Sequence, residues 1–257
     1  MIDIARWLPL VFWGVIGGGF LASFASLVAW RIPRGQSLLR SSFCPTCGHG
    51  LGPIDLVPVV SWLLLRGRCR YCGSAIPPRE LVVEALGMVM GVAMTATWGV
   101  SPSALFYGCF VFGLLAIALA DLERYEVPLA VILALGGVWL AGFLFVRAHG
   151  WLVVAPRPLW GLGVMLAASA FGALVTRGRY GGGDWLIGCV MGLFLGPYYA
   201  LVAWFGANLL ALPLAVGWRR RAGAGPFPFG PALAAASTLF ALPPVQLFWL
   251  HVFPYQF

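Results

Sequence analysis

Charged residues are scarce in this sequence, and lysine is absent from it. Only 9% of the 257 residues are charged, 61% are hydrophobic and the mean hydropathy is +0.92, whereas a soluble domain carries roughly 25% charged residues. The 16 basic and 8 acidic side chains cannot cover the surface of a soluble globule of this length. The composition therefore excludes a soluble globular protein and places most of the surface in lipid.

Several enzyme signatures are also missing. The sequence contains no GxSxG nucleophile elbow, HExxH zinc motif, Walker phosphate loop or dinucleotide fingerprint. Its six cysteines are too few and too unevenly placed for a disulfide scaffold. The basic excess, +8 and all arginine, would suit nucleic acid in a soluble chain, but in an apolar chain it is typical of cytoplasmic loops. We therefore expect membrane lipid, and no nucleic acid, as a partner.

Long uncharged runs make up most of the sequence. A bilayer core needs about 20 apolar helical residues, and the chain offers eight such runs: Leu8–Trp30, Leu81–Trp98, Ser103–Ala120, Val127–Val146, Pro158–Thr176, two within Trp185–Trp218 that are divided at Gly196-Pro197, and Pro231–Leu250. The first run is too long for a cleaved signal peptide and is followed directly by Arg31 and Arg34. The sequence predicts an all-α, polytopic membrane helical bundle of about eight transmembrane helices.

The arginines set the predicted orientation. Thirteen of them fall in residues 31–79 and in the third, fifth and seventh interhelical loops, and only Arg6, Arg147 and Arg157 fall on the other side. The arginine-rich face is expected to be cytoplasmic, with both termini outside. We predict three regions: a first transmembrane helix over 1–30, a cytoplasmic zinc-binding domain over 31–80 and a transmembrane catalytic domain over 81–257.

Four cysteines lie in that cytoplasmic loop as two CxxC pairs. Cys44 and Cys47 are followed by a glycine, and so are Cys69 and Cys72. Two such knuckles suit four thiolates around a tetrahedral structural zinc. The alternatives are two redox pairs or four free thiols. A reducing cytosol disfavours disulfides.

Three of the eight acids lie in or at the edge of predicted spans. Glu84 is one turn into the second span, Asp121 ends the third, and Asp184 opens the sixth after Gly181-Gly182-Gly183. Asp121 and Asp184 share a depth at the cytoplasmic boundary, so they could face each other and share one proton, as in aspartyl-protease chemistry. Gly181 and Gly183 would let a substrate strand approach closely. The plainer alternatives are a helix N-cap for Asp184 and an ion pair with Arg124 for Asp121.

Taken in order, the motifs resemble those of the bacterial type IV prepilin peptidases. The similar stretches run nearly from end to end: Ser23-Phe24 through Trp30-Arg31-Ile32-Pro33, the two CxxC knuckles, Pro58–Leu63, Arg66–Arg70, Pro78-Arg79 with Val83-Glu84, Asp121-Leu122-Glu123 with Pro128, the GxGD motif Gly181–Asp184, and Pro228–Pro231.

The resemblance implies an integral aspartyl protease of the bacterial cytoplasmic membrane, with its active site and cysteine loop on the cytoplasmic side. Its substrates would be the basic leaders of type IV prepilins and of type II secretion pseudopilins, cut by Asp121 and Asp184. The resemblance also implies methylation of the new amino terminus with S-adenosylmethionine, for which Glu84 and the cytoplasmic loop are the first positions to mutate.

Two positions depart from the family pattern. Leu186 stands where the family usually has lysine, and Ser26 stands where it has asparagine. Leu186 motivates a second hypothesis, a catalytically silent member that acts as an assembly scaffold. A third hypothesis, a membrane transporter, predicts acids spread along a midplane route, whereas here they gather at one boundary.

Overall fold

The computed structural model describes residues 8–149, 158–175, 181–222 and 227–242, and these residues are mostly helical. The first helix, which we call α1, is π-helical over Leu10–Gly17 and α-helical over Gly18–Arg31. The other helices are α2 Val60–Leu64, α3 Pro78–Trp98, α4 Pro102–Arg124, α5 Leu129–His149, α6 Pro158–Val175, α7 Gly182–Ala222 and α8 Gly230–Phe240. Within the described ranges, β structure is limited to two isolated antiparallel bridges. The predicted all-α fold is confirmed.

Five of the described helices are long and apolar enough to cross a bilayer. They are Leu10–Arg34, Pro78–Trp98, Pro102–Arg124, Pro158–Val175 and Gly182–Arg220, and shorter apolar helices cover Leu129–Phe145 and Gly230–Phe240. Large apolar side chains point outward from them: Leu105, Trp160 and Leu174 are each more than two thirds exposed. An outward apolar surface of this kind is what lipid covers. The end of the last predicted span, residues 243–250, lies outside the described residues, as do Arg6, Arg157, Arg177 and Arg179.

Helix α7 is interrupted at the place that the sequence predicts. A continuous helix of its 41 residues would measure about 60 Å at ~1.5 Å per residue, twice the hydrocarbon thickness. Gly196 leaves the helical conformation with φ 74° and ψ 179°, and Pro197 follows it. A positive φ favours glycine, so the Gly-Pro pair divides the run into two helices.

By compactness the chain forms two units, Met1–Val100 and Ser101–Phe257. The predicted boundaries at residues 30 and 80 stay a prediction, because compactness alone does not decide which segments work together.

In the first unit, the opening helix packs closely against α3 through small residues. A Cβ on Gly87 would overlap Ala22 and the Gly18 carbonyl oxygen, and a Cβ on Gly91 would overlap the Gly14 carbonyl oxygen. Glycines at these four positions let the two backbones touch, which is how helices associate where lipid removes the hydrophobic driving force.

In the second unit, α4 contributes the most buried face. It packs on α5 and α8, while α7 packs on α6 and α8. Phe106 and Phe110 of α4 stack on Phe194 of α7, with ring centroids 4.7 and 4.6 Å apart. The two helices that meet through these rings carry the two predicted catalytic aspartates.

Candidate active site and metal centre

The two CxxC knuckles have the same backbone geometry. The Gly48 N–H donates to the Cys44 carbonyl oxygen at 2.8 Å, and the Gly73 N–H donates to the Cys69 carbonyl oxygen at 2.9 Å. These glycines have φ values of 72° and 70°, a left-handed conformation that other residues rarely adopt. An antiparallel bridge closes each turn. The glycine after each pair therefore closes the turn, as the spacing predicts.

The four thiols converge on one point. The sulfur atoms of Cys44, Cys47, Cys69 and Cys72 all lie within 4.8 Å of one another, and the Cys44 and Cys72 sulfurs are 3.9 Å apart. Tetrahedral zinc with Zn–S bonds of about 2.3 Å requires sulfur atoms about 3.8 Å apart. The four side chains therefore form a cluster that could hold a metal ion of this kind.

The local hydrogen bonds favour the thiolate form that a metal needs. Backbone hydrogen bonds from Cys47 and Thr46 lower the pKa of the Cys44 thiol to about 6. The Ser74 hydroxyl and backbone also lower the pKa of Cys72. At Cys47 the His49 backbone also favours the thiolate, but burial and the Cys44 and Cys72 side chains outweigh it and raise the pKa of the thiol to about 11. The knuckles thus favour negative sulfur at Cys44 and Cys72 before any metal arrives.

Asp121 lies in the last turn of α4 and is 8% exposed. Its Oδ2 accepts a hydrogen bond of 2.7 Å from the Gly230 N–H at the start of α8. A Cβ on Gly230 would come within 2.8 Å of that same oxygen. The plainer alternative, an ion pair with Arg124, is not what the structure has, because Arg124 pairs with Glu126 at 3.4 Å.

Asp184 lies in the first turn of α7 and is half-buried. Its N–H donates to the Gly181 carbonyl oxygen at 3.1 Å, so it is a helical residue and not the N-cap. Its carboxylate is near enough to Asp121 for the two charges to interact. Asp121 thus ends α4 and Asp184 begins α7 within range of electrostatic interaction, and their role as a catalytic pair stays a prediction.

Two glycines before Asp184 stand where a side chain would collide with a neighbour. A Cβ on Gly181 would lie 2.9 Å from Asp184 Oδ2, and one on Gly183 would overlap the Val127 side chain. In contrast, a Cβ on Gly182 would meet no atom within 4 Å. The first and third glycines of the motif are therefore the sterically constrained ones.

The Gly230 contact is a part of the site that the sequence reasoning missed. The stretch Pro228–Pro231 is among the family-like motifs, but nothing in its composition says that its glycine N–H reaches a carboxylate 109 positions earlier. The position of the motif at a helix start was the available signal, because free N–H groups at helix starts bind carboxylates.

Glu84 belongs to the first unit, where it fixes a strained turn. Its Oε2 accepts a hydrogen bond of 2.6 Å from the Val59 N–H, and its carboxylate also bonds to Ser23. Val59 has φ 64°, which is unusual for a β-branched residue. Nearby, the Ser26 hydroxyl donates to Glu80 Oε2 at 2.7 Å.

The fold and these sites define a polytopic helical membrane protein with a four-cysteine cluster and a pair of carboxylates at helix ends. Residues 16–98 match the family model described as Bacterial Peptidase A24 N-terminal domain. The chain is 31% identical to the Prepilin leader peptidase/N-methyltransferase of Bacillus subtilis (strain 168), over 87% of this chain and 90% of the relative. The protein of that name from Aeromonas salmonicida (strain A449) is 30% identical over 92% of each chain.

A third relative of that name, from Dichelobacter nodosus, is 31% identical over 82% of this chain and 78% of its own. No solved structure matches the chain. The chain belongs to the prepilin leader peptidase/N-methyltransferase family, which confirms the resemblance inferred from the motifs.

Proposed function

We propose that this chain is a membrane aspartyl endopeptidase that removes the leader peptide of type IV prepilins and pseudopilins. The observation that carries the proposal is the pairing of Asp121 and Asp184 at the ends of two apolar helices. Family membership supplies the substrate class, because the relatives are named prepilin leader peptidases.

The acid pair can perform peptide hydrolysis without any other nucleophile. Two neighbouring carboxylates do not ionise together cheaply, so they share one proton. The ionised member takes a proton from water, and the protonated member donates to the scissile carbonyl oxygen. The Gly230 N–H holds one oxygen of Asp121 in place, so the other oxygen is the one available to water or substrate.

The location of the pair suits a substrate that is half in the membrane. Asp121 ends an apolar helix and Asp184 begins one, so both lie at the same bilayer boundary. A prepilin whose apolar helix is in the bilayer and whose leader is in the cytosol presents its scissile bond at that boundary. The arginine bias supports the cytoplasmic face of the bacterial inner membrane as this boundary.

Cleavage of a purified prepilin tests the peptidase proposal. Asp121→Asn and Asp184→Asn should each lower the cleavage rate at least 1,000-fold, which is roughly 4 kcal/mol of transition-state stabilisation. Glu126→Gln is the matched control, since it neutralises an exposed acid close in sequence to Asp121. Wild-type cleavage by both Asn variants would refute the assignment, and an inactive wild-type protein would favour the scaffold hypothesis that Leu186 motivates.

The four cysteines would hold a structural zinc ion. Four thiolates leave no open coordination position, so the metal would crosslink the loop and take no part in chemistry. Purified protein should contain about one zinc per chain, and Cys44→Ser should lose it, whereas Cys109→Ser should keep it. Less than half an equivalent, with freely titratable thiols, would contradict the proposal.

Methylation of the new amino terminus is the second proposed activity, since the relatives are also named N-methyltransferases. S-adenosylmethionine would supply the activated methyl group. Transfer of labelled methyl to cleaved pilin tests this activity separately from cleavage. Full cleavage without label would leave the chain a peptidase only.

A further inference from the structure

A cavity of about 410 Å³ lies within the first unit and is not used by the proposed peptidase chemistry. Its walls come from α1, the cysteine loop and the start of α3, and they combine acidic with aromatic side chains, among them Ser26, Trp30, Phe43, Trp62, Glu80 and Glu84. A concave site of several hundred cubic ångströms with a few convergent polar groups is the size that small-molecule ligands occupy.

One wall of the cavity is acidic. Glu80 and Glu84 lie one turn apart on α3, close enough for their charges to interact. Glu80 accepts from Ser26 and pairs with Arg79 at 3.2 Å, whereas Glu84 accepts from the Val59 N–H and from Ser23. Arg31 and Arg70 also line the cavity, but Arg70 pairs with Asp55 at 2.8 Å and Arg31 donates to the backbone carbonyl oxygens of Ser37 and Ser41. Among the described residues Glu84 is therefore the acid of the lining without an arginine partner, and its charge favours a cationic ligand group.

The aromatic rings of the cavity suit a flat apolar group of a ligand. Trp30 and Phe43 lie edge to face with centroids 6.4 Å apart, and Trp62 lines the same cavity. The Trp62 ring packs on Gly67, where a Cβ would come within 2.6 Å of it. Arg34 lies over one face of Trp30 and Arg40 over one face of Phe43, so a planar ligand ring would stack on the remaining faces.

We propose that this cavity binds the methyl donor, with its sulfonium beside Glu80 and Glu84 and its adenine against the aromatic rings. The inference rests on the proposed methyl transfer and names the site for it. S-adenosylmethionine combines the two features that the walls select: a positive sulfur and a purine. An extended basic leader peptide would match the acids but leave the aromatic walls without a planar partner.

The carboxylates bind the reactant more tightly than the product. In the transfer, the deprotonated amine of the cleaved pilin forms the new N–C bond, and the S–C bond breaks with its electron pair left on sulfur. The nitrogen becomes a secondary ammonium, and the sulfur becomes a neutral thioether. Glu80 and Glu84 therefore face a cation before transfer and an uncharged sulfur after it, which favours release of the product.

Equilibrium binding to the full-length protein in lipid nanodiscs tests the site. Glu84→Gln keeps an acceptor for the Val59 N–H and removes the charge, and Glu80→Gln does the same beside Ser26. Each should weaken binding of S-adenosylmethionine about tenfold and leave binding of S-adenosylhomocysteine, the neutral thioether, within about twofold. Trp62→Leu should weaken both ligands, and Glu126→Gln should change neither. Zinc content reports whether the cysteine loop of each variant is folded, and prepilin cleavage reports whether the acid pair still works.

A second readout needs no variant. Ultraviolet crosslinking of labelled S-adenosylmethionine to the wild-type protein should mark peptides from residues 23–84. Crosslinks elsewhere, equal losses for the two ligands in both Gln variants, or competition by a leader peptide but not by the thioether would each overturn the cavity assignment while methyl transfer stands. Absence of both donor binding and methyl transfer would instead overturn the proposed activity and this site with it.

Discussion

The four-cysteine cluster and the acid pair are held in place in opposite ways. The cysteines lie in a loop whose one α-helix, Val60–Leu64, has five residues, and each knuckle is shaped by its own turn and glycine. The aspartates lie at the ends of long apolar helices, and Asp121 accepts a hydrogen bond from Gly230, which begins a third helix, α8. The first site is built from local geometry and the second from long-range packing.

This difference says what each site depends on. A loop of this kind buries little apolar surface, so most of its stability would come from the proposed zinc ion. The acid pair depends on the packing of α4, α7 and α8, where small changes in volume shift side chains. Perturbing one region should therefore leave the other intact.

Metal removal should have the largest effect. If the proposed zinc is bound, stripping it with a strong chelator removes about 10 kcal/mol of binding free energy, so hydrogen exchange in peptides covering residues 38–76 should rise to the unfolded rate. Exchange in α4 and α8 should stay unchanged. Knuckles that keep their protection without metal would show that the loop does not depend on it. Helices that lose their protection would show that the two regions are not held separately.

A methyl group beside Asp121 should have the next largest effect. Gly230→Ala places a Cβ about 2.8 Å from Oδ2 and should displace the carboxylate, lowering the prepilin cleavage rate about 100-fold, as a 1 Å misplacement does. Gly182→Ala is the matched control in the same site, since its Cβ meets no atom within 4 Å. Equal rates for the two variants would contradict the long-range account of the acid pair.

The sequence was sufficient wherever the governing physics is local. Uncharged runs identify the helices, and Gly196-Pro197 marks the break in α7, because a helix cannot continue through that pair. The CxxC spacing and the following glycines predict the knuckles for the same reason. The aspartates could be paired from their depth alone, since helix ends at one boundary face the same layer.

Contacts between distant segments could not be predicted in this way. The hydrogen bond from the Gly230 N–H to Asp121 and the bond from the Val59 N–H to Glu84 depend on which helix faces pack together. Hydropathy does not specify those faces in a chain that is apolar on nearly all sides. The cavity in the first unit escaped prediction for the same reason, because its walls come from three separate segments.

Loss of one surface ion pair should have the smallest effect, confined to the cysteine loop. Burial opposes ionisation of Asp55, but the Gly52 N–H and the Arg70 guanidinium, 2.8 Å away, hold the pKa of its carboxyl below the ordinary 3.8. The lowered pKa stabilises the folded loop above pH 3.8, and this contribution disappears as the pH falls through the lowered value. Asp55→Asn should therefore cost a little stability at pH 7 and nothing in strong acid.

The comparison of melting temperatures between wild type and Asp55→Asn across pH checks this sign. A difference that grows on acidification would contradict it. Prepilin cleavage at pH 7 should be equal in the two proteins, because Asp55 belongs to the first unit and the acid pair belongs to the second.

The most direct test of the central claim, that Asp121 and Asp184 act as one unit, is a double-mutant cycle. Single-turnover cleavage of a prepilin is measured with wild type, Asp121→Asn, Asp184→Asn and the double variant. If the two carboxylates share one proton and one water, the double variant should be no slower than either single variant, because each alone already removes the mechanism. Two partial losses that multiply in the double variant would mean that the aspartates act independently, and the paired-acid account would be wrong.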